Sequence, residues 1–298
     1  MPITVGPPQR PGGGAVLASD GALSSNIVTV GETIDAGSQD GLMPGKGTMR
    51  ADDGALVPTL CGVLERVNKL VTVRPLRSRY TAQSGDVVVG RVVEVSGKRW
   101  KVDIRSTQEA VLQLSSVHIP GDAQRRHTIE DELAMRTILR EGDLVSAEVQ
   151  SAFRDGTIAL QTRSKKFGLL VGGQLVHIPP ALAKPQKTHI TSIGAPASVD
   201  VVQGLNGTIF VAPHRPQDDD DEEEDMAFRR PAPAATAEEH ERVARTCAAV
   251  AALALAGVMV HPAPILAAYS ASVDQGVAVP DMTQPPFVHM VALMARDA

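Results

Sequence analysis

The sequence is short of cysteine, of tryptophan and of long apolar runs, and each shortage excludes something. Two cysteines, Cys61 and Cys247, stand in 298 residues. They have neither metal-ligand spacing nor the density of a disulfide framework, which points to a reducing, intracellular compartment. The longest apolar run, 248–260, is too short and too alanine-rich to span a bilayer, so no membrane partner is expected. Residues 1–25 carry Pro7-Pro8 and Pro11-Gly12-Gly13-Gly14 without an apolar signal segment; they read as a disordered tail with no secretory signal. No paired-carboxylate metal centre and no nucleophile beside a base can be assembled, so no enzyme and no cofactor is expected. Gly45-Lys46 invites a Walker A reading. The motif fails, because Gly47 follows where Ser or Thr is needed and Asp40 stands where the first glycine belongs. The stretch reads as a turn between strands.

The formal net charge of −5 is set by one segment. Asp218 to Asp225 are consecutive acids, and without them the chain stands at +3. This run, with Pro231-Ala232-Pro233 behind it, cannot bury apolar surface and is expected as a solvated insertion over 214–237. Like charges in a row repel rather than build one rigid cage, so no metal site is placed there. Between Arg66 and Lys101 the balance is the opposite. Arg66, Lys69, Arg74, Arg77, Arg79, Arg91, Lys98, Arg99 and Lys101 face only Asp86 and Glu94. Such a window either holds a polyanion such as RNA or is an ordinary charged barrel surface.

What is present is organised around residues 85–163. Five stretches, 87–95, 99–104, 109–115, 144–152 and 157–162, are rich in Val, Ile or Leu with polar alternation, bounded by Gly, Asp or Ser. Gly85-Asp86 and Gly142-Asp143 each form a turn that launches a strand, and Ser96-Gly97-Lys98 suggests a tight first hairpin. Five strands in about eighty residues, with a long link after the third, predict a small Greek-key barrel of the OB type. In 99–104, Trp100, Val102 and Ile104 point one way and Arg99, Lys101 and Asp103 the other. Trp100, the sole tryptophan, is therefore read as core rather than as a base-stacking platform. Arg99 and Lys101 become exposed phosphate-contacting candidates, joined by Arg91, Lys98 and Arg163. The link 118–142 is read as a loop with a short surface helix. Thr128 would cap it, Glu130, Asp131 and Glu132 would sit at its positive end, and Arg136 and Arg140 near its negative end. Arg125-Arg126-His127 reads as a solvated loop.

Upstream, 27–30, 33–34, 55–60, 62–67 and 70–74 read as strands of an all-β module over 26–80, too small to hold a large core alone. The barrel domain covers 81–164. Downstream, 169–178 reads as one strand with Gly172-Gly173 inside it, stopped by Pro179-Pro180. Strands 197–202 and 208–212 are joined by Gly204-Leu205-Asn206-Gly207, a turn that needs positive φ. These four residues are similar to the Gly-x-x-Gly loop with which KH domains clamp RNA. That loop joins helices, whereas this one joins strands, so Gly204, Asn206 and Gly207 are read as a structural motif. A helix over 238–260 ended by Pro262, then weaker helices over 263–270 and 283–295, complete an α+β unit over 165–298. The fold class is mixed β and α+β.

Specific runs carry a family resemblance. They are Val63-Leu64-Glu65-Arg66-Val67-Asn68-Lys69-Leu70-Val71, Gly85-Asp86-Val87-Val88-Val89-Gly90-Arg91, Lys98-Arg99-Trp100-Lys101-Val102 and Leu114-Ser115-Ser116. Glu130-Asp131-Glu132-Leu133-Ala134-Met135-Arg136, residues 141–150, Thr162-Arg163-Ser164, Gln186-Lys187-Thr188-His189 and the Gly-x-Asn-Gly turn continue it. Together they resemble the ribosomal-RNA-processing protein 4 family, cap subunits of the RNA exosome. The resemblance is strong over 27–215 and traceable to the end.

The resemblance implies an N-terminal β module, an S1-type five-stranded OB barrel and a C-terminal KH-like domain. It implies a noncatalytic subunit that sits with other cap subunits on a ring of RNase PH-like subunits and holds that ring together. Such a subunit guides single-stranded RNA to 3′→5′ degradation and processing, rRNA maturation included, in nucleus, nucleolus and cytoplasm. Generic S1-type domains place an aromatic on the second strand and a His on the third, both meeting bases. Matching that pattern puts Lys101 and Gln113 at those positions, which makes Gln113 a further candidate. Stacking is worth roughly 1–3 kcal/mol per base, so its loss predicts weak, sequence-blind, salt-sensitive binding. A free-standing S1/KH RNA-binding protein is the alternative. A phosphorolytic exonuclease with such domains needs an RNase PH-like core ahead of them, for which the first 26 residues leave no room.

Overall fold

The computed structural model describes residues 27–34, 42–75, 78–117, 135–153, 155–162, 167–214 and 235–297. The tail 1–25, the capped start of the helix near Thr128, Arg163 and the acid run lie outside these residues. The chain forms two compact units, residues 1–78 and 79–298.

The first unit is all β. Its strands are β1 (Ile27–Val28), β2 (Met43–Pro44), β3 (Thr48–Arg50), β4 (Leu56–Pro58), β5 (Gly62–Val67) and β6 (Leu70–Pro75). One sheet has the order β1-β5-β6-β2, and β3 pairs with β4. Asn68, at a φ of 56°, makes the β5–β6 turn, since Asn tolerates the left-handed region better than most residues. The Gly45–Gly47 segment is bonded to β6 by its backbone. Gly45 N–H donates to Val71 O at 2.9 Å, and Val73 N–H donates to Lys46 O at 2.9 Å. Gly-Lys here is thus the strand-linking turn expected of it. Val28, Ile34, Leu42, Leu56, Leu64, Val71 and Val73 form the unit's small core.

The second unit opens with the barrel: β7 (Val87–Ser96), β8 (Arg99–Asp103), β9 (Ala110–Val117), a helical turn α1 (Met135–Ile138), β10 (Leu144–Ala152), β11 (Ile158–Thr162) and β12 (Gly168–Leu170). The order is β11-β9-β8-β7-β10-β12, and a β10–β11 pairing closes it. Each of the five strands read from alternation is present. Trp100, Val102, Ile104, Leu112, Val145 and Leu160 are buried together inside. Trp100 is fully buried, and its Nε1–H donates to Leu139 O at 3.1 Å. The segment carrying α1 therefore does more than lie on the surface: Met135 and Leu139 enter the barrel core, because an apolar pair four apart lies on one helical face.

The KH-like part follows: β13 (Gln174–His177), β14 (Ile190–Ile193), β15 (Val199–Gln203), β16 (Thr208–Pro213), α2 (Ala237–Leu255), α3 (Pro262–Asp274) and α4 (Pro285–Asp297). The sheet order is β13-β16-β15-β14. Val199, Val201, Ile209 and Val211 face the helices, packing with Val243, Cys247, Val250 and Leu253. Val202 and Phe210 face the opposite way, into a second cluster with Val89 of the barrel. This sheet is buried on both faces, which explains why β15 and β16 are apolar almost throughout.

Two sequence readings need correction. The run 169–178 is two strands, not one. β12 pairs with β10 in the barrel, and β13 pairs with β16 in the KH-like sheet. Gly172, at a φ of 72°, turns the chain between them, and Gly173 lies against Phe210 where a Cβ would not fit. Pro262 does not end the first long helix. That helix stops at Leu255, before Gly257 at a φ of 73°, and Pro262 opens α3 instead. A proline at the first helical position has no N–H to leave unsatisfied. Thr236 and Glu239 form a reciprocal capping box at the start of α2.

Candidate nucleic-acid interface

The outer face of the barrel is set by β7, β8 and β9. The β7–β8 hairpin turns at Gly97, whose φ is 60° and around which a Cβ would meet open space. Lys98 and Arg99 are exposed at this turn. Arg99 lies opposite Gln113 in register, and Lys101 lies opposite Val111. Arg99, Lys101 and Gln113 thus share one outward surface, while Trp100 and Leu112 point into the core. Gln113 is exposed, and its Oε1 accepts a long hydrogen bond from Ser115 Oγ at 3.5 Å.

Lys101 is not a bare cation. Its Nζ lies 2.6 Å from Glu94 Oε2. That hydrogen bond, followed by the direct charge attraction, holds the Glu94 carboxyl below its ordinary range and the Lys101 ammonium above its own. A bulge causes the pairing. The register of β7 against β8 shifts between Val92 and Glu94, leaving Val93 unopposed and setting Glu94 across from Lys101. Any phosphate bound by Lys101 competes with this carboxylate.

Arg91 stands apart from that group, opposite Asp103 at the far end of the β7–β8 pairing. Two residues missed in the sequence lie near it: Arg105 and His177. Arg105 has a φ of 60°, and its N–H donates to Asp103 Oδ1 at 2.7 Å. His177 is displaced below its ordinary pKa by partial burial and then by the charges of Arg105 and Arg91, with Asp103 opposing. The outward alternation of β8, carried on to residue 105, was the signal available for Arg105. Nothing local marks His177.

The Gly-x-Asn-Gly turn lies where the KH-like sheet meets the barrel. Asn206 is buried, and its Nδ2 donates to Val89 O at 2.8 Å and to Ile104 O at 2.9 Å. Leu205 N–H donates to Val87 O at 2.8 Å. Gly207 has a φ of 76°, and a Cβ there would run into Ile178 O. A Cβ on Gly204 would meet Asn206 Oδ1 and Thr208 O. The turn's Leu205 amide and Asn206 side chain are spent on the barrel, not offered to an RNA backbone.

The chain also resembles known proteins. A family model described as the RRP4 S1 domain matches residues 79–151, and a KH-domain model matches residues 173–217. Exosome complex component RRP4 of Bos taurus is 39% identical over 271 residues, covering 91% of this chain and 89% of the relative. The Arabidopsis thaliana homologue is 46% identical over 199 residues, 66% of this chain and 60% of its own length. The Saccharomyces cerevisiae protein is 45% identical over 195 residues, 65% and 53% of the two lengths. In this chain the two matched domains follow one another and are tied together by the Asn206 side chain. With nine-tenths of its length aligned to a relative at that identity, the chain belongs to the RRP4 family of exosome complex components.

Proposed function

We propose that this protein is a noncatalytic RNA-binding cap subunit of the exosome. It stabilises a ring of RNase PH-like subunits alongside other caps and guides single-stranded RNA toward 3′→5′ degradation and processing, rRNA maturation included. Its places of action are the nucleus and nucleolus, and also the cytoplasm. The observation that carries this reading is the outer face of β8 and β9. It presents Arg99, Lys101 and Gln113 and no aromatic ring, and one of its two cations is already paired with Glu94. Such a surface attracts a phosphate backbone but gives no base a stacking partner, and stacking would add roughly 1–3 kcal/mol per base. Binding is then weak, indifferent to sequence and steeply salt-dependent, as suits a strand that must keep moving. Purification of the tagged protein from its own cells tests the assembly. RNase PH-like subunits are expected in near-equal amount, and their absence would overturn the reading. A direct exonuclease assay on the pure chain, with phosphate or magnesium supplied, is expected to show no turnover.

A further inference from the structure

The apolar seam between barrel and KH-like sheet has a cationic rim. Val89 of β7 is buried in the seam, and Arg91, the next residue on the same face of that strand, is exposed. Leu175 of β13 packs into the same seam, and His177, the next residue on its face, is exposed. Arg105 completes the rim. Its backbone is fixed from both sides. Asp103 Oδ1 accepts its N–H, and the carbonyl before it, Ile104 O, accepts from Asn206. A non-glycine residue at positive φ is held by such contacts only where the surroundings dictate it. Among the described residues neither the Arg91 nor the Arg105 guanidinium forms a hydrogen bond or ion pair.

We propose that Arg91, Arg105 and His177 form a phosphate seat for single-stranded RNA at the junction of the barrel and the KH-like domain, additional to the β8–β9 face. Arg91 and Arg105 both act on the His177 ring against the single carboxylate of Asp103, and a phosphodiester is an anion that bridges such a cationic group. The site continues the open face, since six residues along β8 and its extension separate Arg99 from Arg105, about 20 Å at strand rise. One strand can touch both ends and pass over the neutralised Lys101–Glu94 pair between them. The seat rests on the reading of this protein as an RNA binder.

His177 gives the seat a pH response. The groups facing it are Arg91 on β7, Asp103 on β8, Arg105 just beyond and the Thr208 hydroxyl on β16, 3.5 Å from its Nδ1. Partial burial, and after it the two arginines, hold the free imidazole below its ordinary pKa, which favours the neutral ring at pH 7 and above. A bound phosphate favours the protonated ring, so RNA binding takes up a proton and tightens as pH falls.

The test is fluorescence anisotropy of the full chain with a labelled oligouridylate across a salt series. R91Q/R105Q is expected to lower the slope of log affinity against log salt by about 1.4, at about 0.7 per phosphate contact on a single strand. H177Q is expected to flatten the pH dependence, losing the gain in affinity that the wild-type chain shows between about pH 7.5 and about pH 5.5. It is an independent readout should the double variant not fold. R99Q, on the open face, should lower the slope by about 0.7 whether or not the seat exists. A folded R91Q/R105Q with the wild-type slope, or an H177Q with the wild-type pH response, overturns the seat. In either case a lowered slope in R99Q leaves the RNA-binding reading standing. Failure of the wild-type chain to bind at the lowest salt overturns both.

Discussion

Two of the hairpin turns that carry glycine at positive φ have opposite surroundings. Gly97, between β7 and β8, has open space where its side chain would be, and the residues after it are exposed cations. Gly207, between β15 and β16, lies against the Ile178 carbonyl, beside an asparagine buried in the barrel wall. The same local device thus serves two ends. At one turn the chain reverses to present charge to solvent. At the other it reverses so that a side-chain amide can reach backbone far away in the sequence. What distinguishes them is the supply of unsatisfied carbonyls nearby, and no property of the turn itself decides it.

The largest effect is expected at the buried turn. Asn206→Ala removes the donors to Val89 O and Ile104 O. Each carbonyl left buried and unpaired costs roughly 1–3 kcal/mol, so a loss of about 3 kcal/mol is expected in urea denaturation. Because the lost bonds join the barrel to the KH-like sheet, the transition should also broaden. A change under about 1 kcal/mol with one sharp transition would mean that the Val89–Val202–Phe210 cluster alone holds the two together.

The same substitution at both glycines sharpens the contrast. Gly97→Ala bears only the left-handed backbone, about 1 kcal/mol. Gly207→Ala bears that and must also displace the Ile178 carbonyl, so about 2–3 kcal/mol is expected. Thermal melts of the two variants should therefore separate clearly. Equal losses would show that the Gly207 loop relaxes and that its tight packing is incidental.

The barrel was readable in the sequence because period-2 alternation and turn residues are local signals. Trp100 fell to the core by that same count. The partition of 169–178 was not readable: the run is apolar on both sides of Gly172-Gly173, and which sheet each half joins depends on partners elsewhere. Asn206 shows the same limit. Its turn was evident, but its hydrogen-bond partners lie 117 and 102 residues away. Among the candidate contacts, Arg99, Lys101 and Gln113 share a face as alternation requires. Glu94 was hidden by the β7 bulge. An unbroken strand would have set Val93 across from Lys101, because Arg91 is opposite Asp103 and Val92 opposite Val102.

That bulge yields the smallest prediction for stability and the sharpest for the exposed turn. Glu94 is exposed and Lys101 only partly covered, so breaking this surface pair with Glu94→Gln should leave the melting temperature about where it was. Its effect belongs to binding instead. With the carboxylate gone, Lys101 is released to a phosphate, and oligouridylate affinity at low salt should rise. The salt slope should steepen by about 0.7, one contact on a single strand. Lys101→Gln alone should change the slope little, because the cation it removes is already neutralised, and Glu94→Gln/Lys101→Gln should return the slope to about its wild-type value. If Glu94→Gln leaves affinity and slope unchanged while Arg99→Gln lowers both, the RNA passes the hairpin tip without crossing the middle of β8. The carboxylate would then be a strand-pairing residue with no influence on the path.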